Sequence, residues 1–312
     1  MRSFRLIPDD THIHFMRYEK WAYAFSAALI LLTLILVPLK GLNFGIDFRG
    51  GILMEVRMPG AAADLGAMRA TLGQLGLGEV ALQEFGEPTD VLIRIERQEG
   101  DEEAQQAAVS AVRTALDQNF GGDISYRRVE FVGPKVSGEL FWAGTQAVIY
   151  AILAILAYIW FRFEWQYGIG AIVALVHDTV TTVGLFALLG LEFNLASVAA
   201  LLTIVGYSLN DSVVVYDRVR ENLRKYKTMP MSELLDRSIN ETLARTVMTS
   251  GTTLLALLAL AIFGGPVIRG FTIAMIWGVL IGTYSTVYVA TPVLVHLHLR
   301  RAGAPAEAAA TP

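Results

Sequence analysis

Cysteine is absent from the 312 residues, which excludes disulfide bridges and thiolate metal sites. Charge is scarce too: Asp, Glu, Lys and Arg make up 17% of the chain, against roughly 25% in ordinary soluble domains. Basic residues are not in excess, and a formal net charge of -4 argues against a nucleic-acid binder, which carries a basic face. What is abundant is apolar surface, with 54% hydrophobic residues and a positive mean hydropathy. That balance predicts a membrane protein.

A helix needs about 20 mostly apolar residues to cross a bilayer. Six stretches qualify: 21–40, 140–161, 167–190, 195–217, about 241–264 and about 267–296. The first, "WAYAFSAALILLTLILVPLK", has a longer apolar core than a signal peptide and no A-x-A site after it, so it reads as a retained anchor. Arg2, Arg5, Arg17 and Lys20 precede it, Arg162 follows the second span, and Arg218 to Arg237 contribute six basic residues after the fourth. Arg300 and Arg301 follow the sixth, whereas the opposite loops hold only Arg269. Because basic flanks stay inside, residues 1–20 and both termini are expected in the cytoplasm, with 41–138 outside. Residues 139–298 are expected to form a five-helix bundle with an amphipathic surface segment at 218–240, broken at Pro230. The small-residue tail, 299–312, reads as disordered.

Within the insert, "ILMEVRM", "EVALQEF" and "DVLIRIE" alternate apolar and polar residues as half-buried strands do. Leu65, Met68, Leu72 and Leu75 follow helical spacing, as do Ala108, Val112, Ala115 and Leu116, and "ISYRRVEFV" closes the segment. The order is β-α-β-β-α-β, a ferredoxin-like pattern. No histidine occurs there and no carboxylates cluster at catalytic spacing, which favours a packing or protein-contact domain over an enzyme. The fold class expected is therefore a six-helix membrane protein with an external α+β ferredoxin-like domain. "GLNFGIDFRGG", 41–51, leads into it, and reads either as a glycine-rich connector with positive φ or as a signature string.

"GIDFRGG", "ALVHDT", "YSLNDSVVVYDRVREN" and "INETLARTVMTSGTTL", in that order, resemble the motifs of the SecD/SecF family of protein-export membrane proteins. The resemblance covers about 1–300 and places the chain in the resistance-nodulation-division superfamily. It implies a multi-pass protein of the bacterial inner membrane with the 41–138 domain in the periplasm. Its partners would be a separate SecD chain, the SecYEG channel with YajC, and unfolded preprotein. It also implies that the proton motive force drives movement of the external domain, with no cofactor, no metal and no enzymatic step. "GLNFGIDFRGG" and "GPKVSGE" are the two chain connections to that domain, so Gly45, Asp47, Gly50, Gly51 and Gly138 are candidate motif or hinge residues.

Carboxylates inside a bilayer cost at least about 2.5 kcal/mol and mark partners or ion paths. Asp178 lies midway along the third span beside His177, and Asp211 lies six residues before Asp217 at the end of the fourth. Arg245, a similar distance into the fifth, could meet Asp211; its bland alternative is a local pair with Glu241 or snorkelling. For Asp211 the bland alternative is a hydrogen bond from Tyr207 or Asn210. Thr249 and Thr252 share the face of Arg245, either holding water or gluing helices. Adjacent His177 and Asp178 diverge by about 100 degrees on a helix and so make a poor metal pair, leaving Thr181 and Thr182 as expected partners of Asp178. The expectation is that Asp211, Arg245 and Asp178 serve proton coupling, with Arg245 as the charge that shifts the proton affinity of Asp211, and with His177, Asn210, Thr249 and Thr252 in support. Competing classes are a small-molecule exporter of the same superfamily and a non-transporting assembly scaffold.

Overall fold

The structure, a computed structural model, describes residue 8 and residues 11–60, 62–100, 102–121, 123–265 and 267–297. The expected tail at 299–312 and Arg2, Arg5, Arg300 and Arg301 lie outside the described residues. Among the described residues, six helical stretches are long and apolar enough to cross a membrane: Met16–Lys40, Lys135–Arg162, Trp165–Leu189, Leu195–Lys225, Met231–Phe263 and Arg269–His296. The chain is a multi-pass membrane protein. Its helices are α1 (Glu19–Lys40), α5 (Pro134–Arg162), α6 (Trp165–Leu189), α7 (Leu195–Lys225), α8 (Met231–Phe263) and a sixth span built from α9 (Arg269–Ser285), a π turn at Thr286–Ala290 and α10 (Thr291–His296).

Between α1 and α5 the order is β1 (Asn43–Phe44), α2 (Ile46–Arg49), β2 (Gly51–Arg57), α3 (Leu65–Gly73), β3 (Val80–Phe85), β4 (Glu87–Ile95), α4 (Glu102–Phe120) and β5 (Ser125–Val132). Strands β2 to β5 form one antiparallel sheet in the order β3-β4-β2-β5, so the two central strands are joined through α3 and β3 rather than by a hairpin. The register sets Ile52 opposite Ile95, Met54 opposite Ile93 and Val56 opposite Val91. These six side chains share one face and pack with Met68 and Leu72 of α3 and Val112 and Leu116 of α4. The other face differs from the half-buried strand expected: Leu53 and Leu92 are covered by Ile46 of α2. β2 is therefore buried on both sides, because the connector folds back over the sheet.

Opposite each other on β2 and β4 stand Arg57 and Asp90. Arg57 donates from Nε and Nη2 to the two Asp90 oxygens at 2.5 and 2.7 Å, and Arg127 Nη1 donates to Oδ2 at 3.2 Å. The Arg57 hydrogen bond holds the Asp90 carboxyl below the usual carboxylate range, against the opposing effect of burial. A folded-state value below that of the unfolded chain gives stability that is full above the ordinary range and is lost as pH falls through it, below about pH 4. Asp90→Asn is thus expected to lower the midpoint for heat-induced loss of β-sheet circular dichroism at neutral pH, and the difference from the unaltered chain is expected to shrink as the pH is taken below the ordinary carboxylate range.

In the bundle, α6, α7 and the sixth span bury much of their surface, whereas α1, α5 and α8 expose most of theirs. The segment at 218–240, expected to be amphipathic and broken at Pro230, forms the ends of two long helices that part across Pro230. They continue because Val219 of α7 and Leu234, Leu235 and Ile239 of α8 are fully buried against Phe15, Tyr167 and Leu294. The chain before α1 is clipped to the same end. Asn240 donates to Ile13 O at 2.8 Å and accepts from Ile13 N–H at 3.0 Å, while Asp236 accepts from Met16 N–H at 2.9 Å.

Candidate functional site

Two carboxylates lie in the helix core. Asp178 of α6 is fully buried, and its Oδ2 accepts from Ser208 of α7 at 2.6 Å and from Ser285 of α9 at 2.7 Å. Its Oδ1 is 2.9 Å from His177 Nδ1. A single carboxyl thus ties three helices together at the start of the π turn, a form of local unwinding common at functional sites. Thr181 and Thr182, expected to serve this carboxyl, donate instead to the Asp178 backbone oxygen at 3.2 and 2.7 Å. One turn on, their hydroxyls sit beside the helix carbonyl, which outcompetes a carboxyl directed across to α7. His177 Nε2 is buried and has no hydrogen-bond partner among the described residues. Among those residues no cluster of three or more metal-ligating side chains occurs.

Asp211 stands one turn beyond Ser208 on α7, and 7% of it is exposed. Its Oδ1 accepts from Thr246 of α8 at 2.7 Å; its Oδ2 is buried and has no hydrogen-bond partner among the described residues. Neither side chain expected as its bland partner takes part: Tyr207 donates to Ser250 at 3.1 Å, and Asn210 faces outward. Beside the Asp211 pair, Ser212 and Thr286 are 2.9 Å apart and link α7 to the π turn.

Arg245 precedes Thr246 and is close enough for its charge to act on Asp211, yet the two form no ion pair within 4.0 Å. Nor does it pair with Glu241, which binds Arg237 at 2.9 Å and Asn222 at 2.9 Å. Asp211 is 14 residues from the end of α7 at Lys225, and Arg245 is 14 residues from the start of α8 at Met231, so the two share a level in antiparallel helices. Thr249 and Thr252 are exposed on the Arg245 side and donate to carbonyls of their own helix, Thr249 to Arg245 O at 3.1 Å and Thr252 to Met248 O at 2.8 Å.

The connector residues divide. Gly45 adjoins the loop before α7, and a Cβ there would meet the Glu192 carboxylate and Asn194. Gly50 and Gly51 have φ of 72° and 111°, and a Cβ on Gly51 would strike the Ile95 carbonyl. Asp47 accepts from Leu195 N–H at 2.9 Å. Gly138, expected in a hinge, lies inside the continuous α5 helix. Ser208, Ser285, Thr246 and Thr286 were not singled out in the sequence; only Ser208, three residues before Asp211, shares a helix with either aspartate, and the others meet the site from separate helices.

The pattern described as protein export membrane protein SecD/SecF, C-terminal, matches residues 111–300, and the SecD/SecF GG motif matches 35–58. The chain belongs to the SecD/SecF family. Family members called protein translocase subunit SecF are similar over most of their length: 47% identical in Rickettsia felis over 93% of each chain, and 46% in Rickettsia bellii over 93% of this chain and 95% of the relative. Among solved family structures, SecDF from Thermus thermophilus, described as a translocon-associated membrane protein, superposes with a TM-score of 0.84 at 36% identity. A second, SecDF in a super-membrane-facing form, gives 0.66 at 34%. This chain spans 40% of each of those longer SecDF chains, while they cover 95% and 94% of it.

Proposed function

We propose that this member of the SecD/SecF family acts in the bacterial inner membrane as a proton-coupled subunit that assists preprotein translocation, not as an enzyme. In this reading both termini are cytoplasmic, residues 41–138 are periplasmic, a separate SecD chain is the obligate partner, and the SecYEG channel and YajC complete the assembly. The observation that carries it is Asp211, a buried carboxyl with one hydroxyl donor, one oxygen without a partner and Arg245 within electrostatic reach. A carboxyl so placed is held too weakly for a purely structural role and is suited to gain and lose a proton as α7 and α8 shift.

Arg245 alternately nears and leaves Asp211, and the Asp178 node on the next turn of α7 reports that shift to α6 and α9. A proton crossing the membrane supplies about 2.3 kcal/mol per 100 mV, enough on repetition to bias the external domain between two orientations. The partner that the longer SecDF chains carry in one polypeptide would here be a second chain. Affinity purification of the tagged chain from its own membranes tests the reading: SecD and the SecYEG channel are expected in stoichiometric amounts. A preparation free of both, with the chain intact and folded, overturns it.

A further inference from the structure

The GG-motif segment is docked, not slack. β1 pairs in parallel with β6 (Glu192–Phe193), the short strand in the loop between α6 and α7, with Asn43 opposite Glu192 and Phe44 opposite Phe193. From the external sheet, Arg94 of β4 donates to Asn43 Oδ1 at 2.7 Å and to Glu192 Oε2 at 3.2 Å. Phe44 and Phe48 each pack on Phe193 with ring centres 5.9 Å apart, and Phe193 packs on Phe186 of α6 at 5.3 Å.

The start of α7 is held from both sides of this joint. The first amides of any helix have no partner within it. Here Asn194 accepts from Ser197 N–H at 3.1 Å in a capping box with the Ser197 hydroxyl, and the Leu195 amide goes to Asp47, 148 residues earlier in the chain. A carboxylate at that end also meets the positive pole of the α7 dipole. Local turn chemistry had already supplied one cap, so a second from another element is a connection between elements, not a requirement of the helix.

We infer that Asp47 is a positioning residue that caps α7 in trans and, with Arg94 and Glu192, latches the external domain to the helix that carries Asp211. The glycines serve the latch: Gly45 lets the connector lie against Glu192 and Asn194, and Gly50 and Gly51 turn the chain directly into β2. Rotation of the external sheet then draws on the first turn of α7, and displacement of α7 turns the sheet. This rests on the proton-coupled reading above but adds the part that transmits force.

The test compares Asp47→Leu, which matches the side chain in size and accepts no hydrogen bond, with Asp47→Asn, whose amide oxygen still accepts one. In the full chain purified with its partner, hydrogen exchange in the first turn of α7 and across 43–49 is expected to rise about five-fold in Asp47→Leu, the ratio a lost cap produces, and to stay near the unaltered rate in Asp47→Asn. In membrane vesicles, Asp47→Leu is expected to lose the gradient-dependent part of export, keep the gradient-independent part, and be rescued by Asp47→Asn. Unchanged exchange in Asp47→Leu overturns the cap, and faster exchange with undiminished gradient-dependent export overturns the latch. Failure of the proton-coupled reading looks different: export by the unaltered chain would then ignore the gradient, while the exchange data still decide the cap.

Discussion

Asp211→Asn is expected to leave the chain inserted at its normal level and to abolish the part of preprotein export that depends on the proton gradient. Asparagine keeps the shape of aspartate and can still accept the Thr246 hydroxyl at Oδ1, so little packing is lost. It cannot take up or release a proton, and the coupling lost is what one proton supplies. At 100 mV that is about 2.3 kcal/mol, or about fifty-fold in a two-state equilibrium. Export into inverted membrane vesicles, with and without an uncoupler, measures the difference directly. Thr246→Val makes a useful companion. It leaves the carboxyl titratable without its hydrogen-bond donor, so gradient-dependent export should fall only in part.

Asp178→Leu is expected to have the largest effect on stability. The carboxyl holds Ser208, Ser285 and His177, all buried, and leucine would leave three polar groups without this partner in the core of three helices. At about 1 to 3 kcal/mol for each orphaned group, the sum is on the order of 3 kcal/mol or more. For a chain of this size about 3 kcal/mol corresponds to a fall in thermal midpoint of about 5 °C, readable on the detergent-purified protein. Asp178→Asn separates structure from proton chemistry, since the serine hydroxyls can turn to accept from its amide. Its midpoint should stay within a few degrees of the unaltered chain, while gradient-dependent export falls if this carboxyl also exchanges a proton.

Much of the architecture was legible in the sequence because it is local. Six apolar runs are long enough to span, and the α3 and α4 periodicities, with strands between them, announce the α/β domain between the first two spans. The aspartates were legible for the same reason: a carboxylate in an apolar run is visible without knowing its neighbours. What escaped depends on contacts far apart in the chain. Ser208 and Ser285 meet Asp178 from 30 and 107 residues away, and nothing in an isolated helix separates them from other small polar residues. The length of α7 and α8 escaped because their ends look like a charged surface segment. Only the packing of Val219 against Leu234, Leu235 and Ile239 shows why they stay helical. The connector looked like a flexible joint by its glycines, yet those glycines permit close contact with Glu192, Asn194 and β2.

Arg245 marks the limit of helical-wheel reasoning. Equal depth in two antiparallel helices brought it level with Asp211, but its place next to Thr246, on the exposed side of α8, keeps it out of hydrogen-bonding range. Depth was readable from the sequence; the rotation of α8 that directs Thr246 and not Arg245 at the carboxyl was not.

Proton entry into sealed vesicles tests the central claim most directly. The chain is reconstituted with SecD, its proposed partner, a pH-sensitive dye is trapped in the lumen, and the outside is acidified in the presence of a permeant ion that prevents charge build-up. Lumen acidification is expected with the unaltered chain and is expected to fall to the rate of protein-free vesicles with Asp211→Asn. Acidification at the same rate in the Asp211→Asn vesicles would contradict the assignment of Asp211 to the proton path.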